Sequence, residues 1–211
     1  MSELLTGKRI LITQADQFMG PMLCEVLRAK GATVIADDSD LSMAGVAEKV
    51  VADSGRIDVL VANLSIPAPS TPAAQVSEEE WQAVFAALVS PLPRLCAAVL
   101  PQMVERRAGK ILLMGSASAL RGMKRASTYS AARGAQLAYI QAVGVEMAEY
   151  NIQINAIAQN FVENPTYFPP EVQANPRFQE RLKRQVPLGR LVGAQEDAEF
   201  AAYLCSESAN C

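Results

Sequence analysis

Short apolar runs alternate with helical patterns along nearly the whole chain, and that alternation constrains the fold more than any other feature. Residues 9–13 read Arg-Ile-Leu-Ile-Thr, a strand. Residues 19–30 carry apolar side chains at helical spacing and stop at Gly31. Residues 33–36 form a second strand and residues 42–54 a helix. Residues 57–62, bounded by Gly55 and Asn63, form a third strand. Repetition of this kind predicts an α/β fold, a doubly wound and mostly parallel sheet with helices on both faces and right-handed crossovers. The chain has 211 residues, half of them apolar, which suits a single Rossmann-like domain over residues 1–211 with a substantial core.

Residues 64–77 are a loop rich in Pro and Ser. Ser77 and Glu80 have the spacing of a capping box and open a helix. On it Trp81, Val84, Phe85 and Leu88 make an apolar stripe, with Trp81 expected in the core. Pro91, Pro93 and Pro101 interrupt the long element that follows. Residues 110–115 are the next strand, residues 127–149 a helix capped by Ser127, and residues 152–158 a further strand. Residues 161–176 are a loop rich in Pro and aromatics. Residues 178–185 and 196–207 are helices.

The stretch from Ser116 to Arg133 carries the chemistry. Ser116 follows a buried strand at its carboxyl end, where open parallel sheets place their sites. Tyr129 and Arg133 stand at i and i+4 of the next helix and share one face. A phenol, a fixed cation and a hydroxyl therefore converge. The alternative for the pair is an exposed helix contact of small energetic value.

The chain contains no histidine, which removes every histidine-based triad, metal site and general base. A base must be Tyr, Lys, Asp, Glu or Cys. The net charge of −3 gives no attraction for nucleic acid or an anionic membrane, and the apolar runs are too short to span one. The first residues lack the basic and apolar regions of a signal peptide. Cys24, Cys96, Cys205 and Cys211 are scattered, with no CxxC. They suit free thiols in a reducing cytoplasm rather than a disulfide or metal framework.

The loop after the first strand reads Thr13-Gln-Ala-Asp-Gln-Phe-Met-Gly20. A dinucleotide fold needs glycines there so that backbone can approach the pyrophosphate. Only Gly20 remains. Gln14 and Phe18 are bulky, and Asp16 adds negative charge. No nicotinamide cofactor is expected. Asp37 and Asp38 stand where an acid would hold a cofactor ribose, and a solvated loop is the competing reading.

Taken together, the first strand and turn, Asp58-Val-Leu-Val-Ala-Asn63, Ser116 and Tyr129-Ser-Ala-Ala-Arg133 resemble the short-chain dehydrogenase/reductase superfamily. Its reductases carry TGxxxGxG and Tyr-x-x-x-Lys, and this chain departs from both. Arg133 replaces the lysine and Phe18 a glycine. Those departures, with Gln159-Asn-Phe-Val162, Asn164-Pro-Thr-Tyr-Phe-Pro169 and Pro187-Leu-Gly-Arg-Leu191, resemble the halohydrin dehalogenases. Only one helix fits between Asp38 and Arg56, so an edge strand of the superfamily is expected to be missing. Relatives continue past Asn210-Cys211 into a final strand, which is expected to be absent here as well.

The resemblance implies cofactor-independent closure of a vicinal haloalcohol to an epoxide, with release of halide and a proton, reversible as ring opening by small anions. In that scheme Tyr129 is the base, Arg133 favours its phenolate and Ser116 positions the substrate oxygen. Gln159, Asn160, Phe161 and Val162 lie over the reacting carbon. The Phe161 and Val162 amides, with ring edges of Phe18, Tyr167 and Phe168, hold the halide. A loop anchor is the alternative for these aromatics. The resemblance also implies a homotetramer built on helix pairs. Ala131, Ala132, Gly134, Ala135, Ala138, Ala142 and Gly144 would permit close helix approach, although packing within one subunit would use the same residues. An NAD(P)-dependent oxidoreductase and a non-catalytic scaffold of the same fold are the other readings.

Overall fold

The computed structural model describes residues 4–210. The readings that rest on residues 1–3 and on Cys211 lie outside the described residues. Five parallel strands run β1 (Arg9–Thr13), β2 (Thr33–Asp37), β3 (Val59–Ala62), β4 (Gly109–Met114) and β5 (Ile152–Ile157), in the sheet order β2-β1-β3-β4-β5. Only α2 (Val46–Ser54) separates β2 from β3, so β2 is a sheet edge as expected.

Strand side chains alternate between the two faces. Leu11, Leu60, Ala62, Ile111 and Leu113 face α2, α4 (Pro91–Glu105) and α5 (Ser127–Met147), where Val50, Leu95, Val99 and Ile140 meet them. Ile10, Ile12, Val59, Val61, Leu112 and Met114 face α1 (Gly20–Ala29) and α8 (Ala194–Cys205), where Leu23, Leu27, Ala198 and Ala201 close the second layer. Both faces are covered at β1, β3 and β4, which is why those strands read as apolar runs, whereas the edge strands β2 and β5 are only partly buried.

Four expectations change. Ser77 caps α3 (Glu78–Leu88) by accepting from the Glu80 N–H at 3.2 Å. The return half of the capping box is not made, because the Glu80 carboxylate instead accepts from Thr71 Oγ1 at 2.5 Å and Thr128 Oγ1 at 2.7 Å. Ser127 is the first residue of α5 rather than its cap. Ala126 occupies the cap position with no side-chain bond, and Thr128 ties the helix start to Glu80. Trp81 is 38 % exposed and stacks on Phe85 at 4.4 Å, because α3 is covered along Val84 and Leu88 only. Finally, Glu78–Glu105 as a whole has the length and apolar composition of a membrane span. It breaks at Val89 and Ser90 into α3 and α4, and Leu92, Leu95, Val99 and Met103 are buried in the core beneath it.

Candidate active site

The carboxyl ends of β1, β3, β4 and β5 open into one cavity of about 500 Å³. The strand order reverses between β1 and β3, and a ligand site outside that crevice is what the topology of an open parallel sheet favours. All ten residues singled out from the sequence line this cavity: Ser116, Tyr129 and Arg133, together with Phe18, Gln159, Asn160, Phe161, Val162, Tyr167 and Phe168.

Tyr129 and Arg133 sit one turn apart on the buried face of α5, 5 % and 3 % exposed. The Arg133 guanidinium carbon lies 5.1 Å from the Tyr129 ring centroid. It meets the ring rather than the hydroxyl, so the pair couples through space. Arg133 Nη2 donates to Ser65 Oγ at 2.9 Å. Its Nη1 donates to Gln136 Oε1 at 2.9 Å and to the Met114 carbonyl at 3.2 Å. Gln136 is itself fixed by donating Nε2 to the Leu88 carbonyl at 2.5 Å. Arg133 Nε is buried with no partner, and no carboxylate among the described residues pairs with this cation. A buried guanidinium that lacks a counter-anion is costly. The site is therefore built to gain a negative charge.

A second phenol stands beside the first. The Tyr167 hydroxyl donates to the Ile66 carbonyl and lies 3.4 Å from the Tyr129 hydroxyl. Burial, then the charge of and hydrogen bond with Tyr129, push Tyr167 far above an ordinary phenol. Two phenol oxygens thus face each other in the cavity, one from α5 and one from the loop after β5. This neighbour was expected only as a ring edge. Its ring does meet Phe18 at 5.4 Å, tilted by 45°.

Ser116 closes β4 in extended backbone and caps the short turn Ala117–Ala119. Its Oγ accepts from the Ser118 N–H at 3.2 Å and from the Ser118 hydroxyl at 3.0 Å. With its acceptor positions engaged, the Ser116 hydroxyl proton is left to donate to a bound oxygen.

The loop from β5 supplies the opposite wall. The amides of Asn160, Phe161 and Val162 donate to no acceptor among the described residues, and Phe161 has a φ of 54°. Successive free amides around a left-handed residue form an anion-binding concavity. A positive φ at a bulky residue is costly and clusters at functional sites. Gln159 is held by its Nε2 donating to Asp197 Oδ2 at 2.5 Å. Burial raises the Asp197 carboxyl, and the Gln159 bond opposes that rise. Phe168 lines the cavity but also packs on Phe161 at 5.8 Å and Phe178 at 5.4 Å, so it anchors the loop as well.

The β1–α1 loop fills where a pyrophosphate would lie. Ala15, Asp16, Gln17 and Gly20 already donate their amides to Asp37 O, Asp38 Oδ1, Gln14 O and Gln17 O, and Pro21 offers none. Phe18, at φ 50°, turns its side chain into the cavity wall. A Cβ on Gly20 would collide with the carbonyl oxygens of Gln14 and Ala15, so that glycine serves the tight turn. This loop does not fit a dinucleotide phosphate. The opposing feature is Asp37, whose Oδ2 is buried without a partner at the end of β2. Ser65 and Asn63 were missed from the sequence. Asn63 Nδ2 donates to the Gln14 and Gln17 carbonyls, and the Ser65 N–H donates to Gln14 Oε1. Their position just after β3 was the available signal.

A family model described as enoyl-(acyl carrier protein) reductase matches residues 6–211. Escherichia coli (strain K12) 3-oxoacyl-(acyl-carrier-protein) reductase FabG is 29 % identical, over 96 % of this chain and 91 % of its own. A solved structure described as a dehalogenation enzyme is 30 % identical with a TM-score of 0.91, covering 98 % of this chain and 94 % of that one. L-sorbose reductase from Gluconobacter frateurii, solved with NADPH and L-sorbose, shares the fold at a TM-score of 0.90 and 21 % identity, covering 100 % of this chain and 94 % of that one. The chain belongs to the short-chain dehydrogenase/reductase superfamily, within the family described as enoyl-(acyl carrier protein) reductase.

Proposed function

We propose that this superfamily member is a carbon–halogen lyase that converts vicinal haloalcohols to epoxides without a cofactor. The observation that carries the reading is Arg133, a buried cation with no carboxylate partner among the described residues, set over the ring of Tyr129. The Tyr129 phenolate takes the hydroxyl proton of the substrate while Ser116 donates to that oxygen and holds it in line. The oxygen attacks the adjacent carbon from behind, the carbon–halogen bond breaks with its electron pair on the halide, and the halide moves onto the free amides of Phe161 and Val162 between Phe18 and Tyr167. No hydride is transferred. In reverse, a small anion on the same amides opens an epoxide.

The second reading is a nicotinamide-dependent oxidoreductase, supported by the unpartnered Asp37 Oδ2 and by the reductase relatives. Titration with NADH and NADPH, followed by nicotinamide fluorescence, separates the two. The dehalogenase reading predicts no saturable binding at micromolar concentration, and saturable binding supports the oxidoreductase. Tyr129→Phe removes dehalogenation altogether under the first reading.

The protein also fits a reducing cytoplasm. Cys24, Cys96 and Cys205 are buried free thiols, and burial pushes Cys96 and Cys205 up to about 12. We further propose a homotetramer through the outer face of α5, where Ala131, Ala138, Ala142 and Val145 are exposed. Light scattering that finds only a 22.6 kDa species at micromolar concentration contradicts it.

A further inference from the structure

The cavity carries an electrostatic bias that ring closure does not use. Four cations line it, Arg121, Lys124, Arg133 and Arg181, and no carboxylate does. The chain has 22 acidic and 19 basic residues, so an unbiased wall would bring in carboxylates as often as cations. Arg133 belongs to the chemistry. The other three are exposed at the mouth, and none makes an ion pair among the described residues. Two of them are held in place rather than merely solvated. Arg121 Nη2 donates to Asn160 Oδ1 at 3.0 Å, and the Arg181 guanidinium carbon lies 5.2 Å from the Phe161 ring centroid. They reach the mouth from separate elements, the loop before α5 and α7 (Pro176–Gln185).

We propose that this mouth binds a small anionic group, a carboxylate or a phosphate, carried by the substrate beyond the two reacting carbons. A cleft lined by one sign of charge concentrates ligands of the opposite sign. Arginine forks match both carboxylate and phosphate oxygens. The cavity volume is in the range that holds ligands larger than a three-carbon haloalcohol. The inference deepens the haloalcohol reading by naming the substrate class, and it rests on that reading for the reaction but not for binding.

The test is calorimetric binding of unreactive ligands, so it stands apart from turnover. The probes are 3-hydroxybutanoate against 3-hydroxybutanamide, and glycerol 3-phosphate against glycerol. The acid or the phosphate should bind about tenfold or more tightly than its neutral counterpart. The pair with the larger ratio identifies which anion the mouth suits. That ratio should collapse in the double variant Arg121→Gln, Arg181→Gln, and persist in Lys183→Gln, a charge on α7 outside the cavity lining. Equal affinity for charged and neutral ligands, or a preference that survives the double variant, overturns the proposal. Halide release from a neutral haloalcohol, with no anion preference in binding, would remove the mouth site while leaving the dehalogenase reading intact. An anion preference without any halide release would do the reverse.

Discussion

Replacing Arg133 by glutamine tests how the base is made. The substitution keeps a polar side chain and removes the charge that lies 5.1 Å from the Tyr129 ring centroid. At that separation and an effective dielectric constant of about 20, the attraction between a guanidinium and a phenolate is about 3 kcal/mol. Water entering the space left by the shorter side chain screens part of this, and the low-pH limb of kcat/KM, which reports the base, should move upward. Turnover at neutral pH should fall by about 10- to 100-fold and recover in part at high pH. Loss of the hydrogen bonds to Ser65, Met114 and Gln136 destabilises the variant, while loss of an uncompensated buried charge offsets that cost. Near-native thermal unfolding is therefore expected and shows that the assay reads the site. A folded variant with an unmoved pH–rate profile would refute the coupling.

Tyr167→Phe should move the same limb to higher pH, because the hydroxyl it removes lies 3.4 Å from the Tyr129 hydroxyl and can donate to it, a bond that strengthens when Tyr129 becomes a phenolate. A pH–rate series checks this, and an unmoved or lowered limb would show that Tyr167 serves only the Ile66 carbonyl. Asp197→Asn should raise Tm at pH 7. The folded-state carboxyl is raised above its unfolded value by burial, so ionised Asp197 costs stability above that raised value, and the cost disappears as pH falls towards the ordinary carboxylate range. Melting curves of both proteins should converge at acid pH, and a gain independent of pH would contradict the assignment. Phe18→Ala should weaken product inhibition by bromide by several-fold while Tyr129-dependent turnover is retained, read from initial rates in added bromide. Unchanged inhibition would remove Phe18 from the halide wall.

Strands were the most legible part of the fold. Arg9–Thr13 appears as read, because a five-residue run buried on both faces admits little else. The convergence of Ser116, Tyr129 and Arg133 on one cavity was also legible, since strand-end position and helical spacing are local properties. What holds Arg133 was not. Ser65, Met114, Gln136 and Leu88 belong to separate segments, and only the folded chain brings them together. The cap of α5 failed for a similar reason. The helix starts at Ser127 itself, and its first turn is tied instead by the long-range bond from Thr128 to Glu80. Trp81 shows that helical periodicity names a stripe without saying how wide a strip its neighbours cover. Phe18 could be read as obstructing a phosphate, but its left-handed backbone and the engagement of the loop amides by Asp37, Asp38 and Gln14 could not.

On the proposed function, Tyr129, Arg133 and Ser116 expel halide from a haloalcohol with no nicotinamide present. The most direct measurement follows proton and halide release together while the purified protein is incubated with a small vicinal haloalcohol in nicotinamide-free buffer. Proton and halide should be released one for one, with an epoxide as the organic product, and both should stop in Tyr129→Phe. Absence of halide release across a series of chloro- and bromo-alcohols, alongside oxidation of NADPH by a carbonyl substrate, would contradict it.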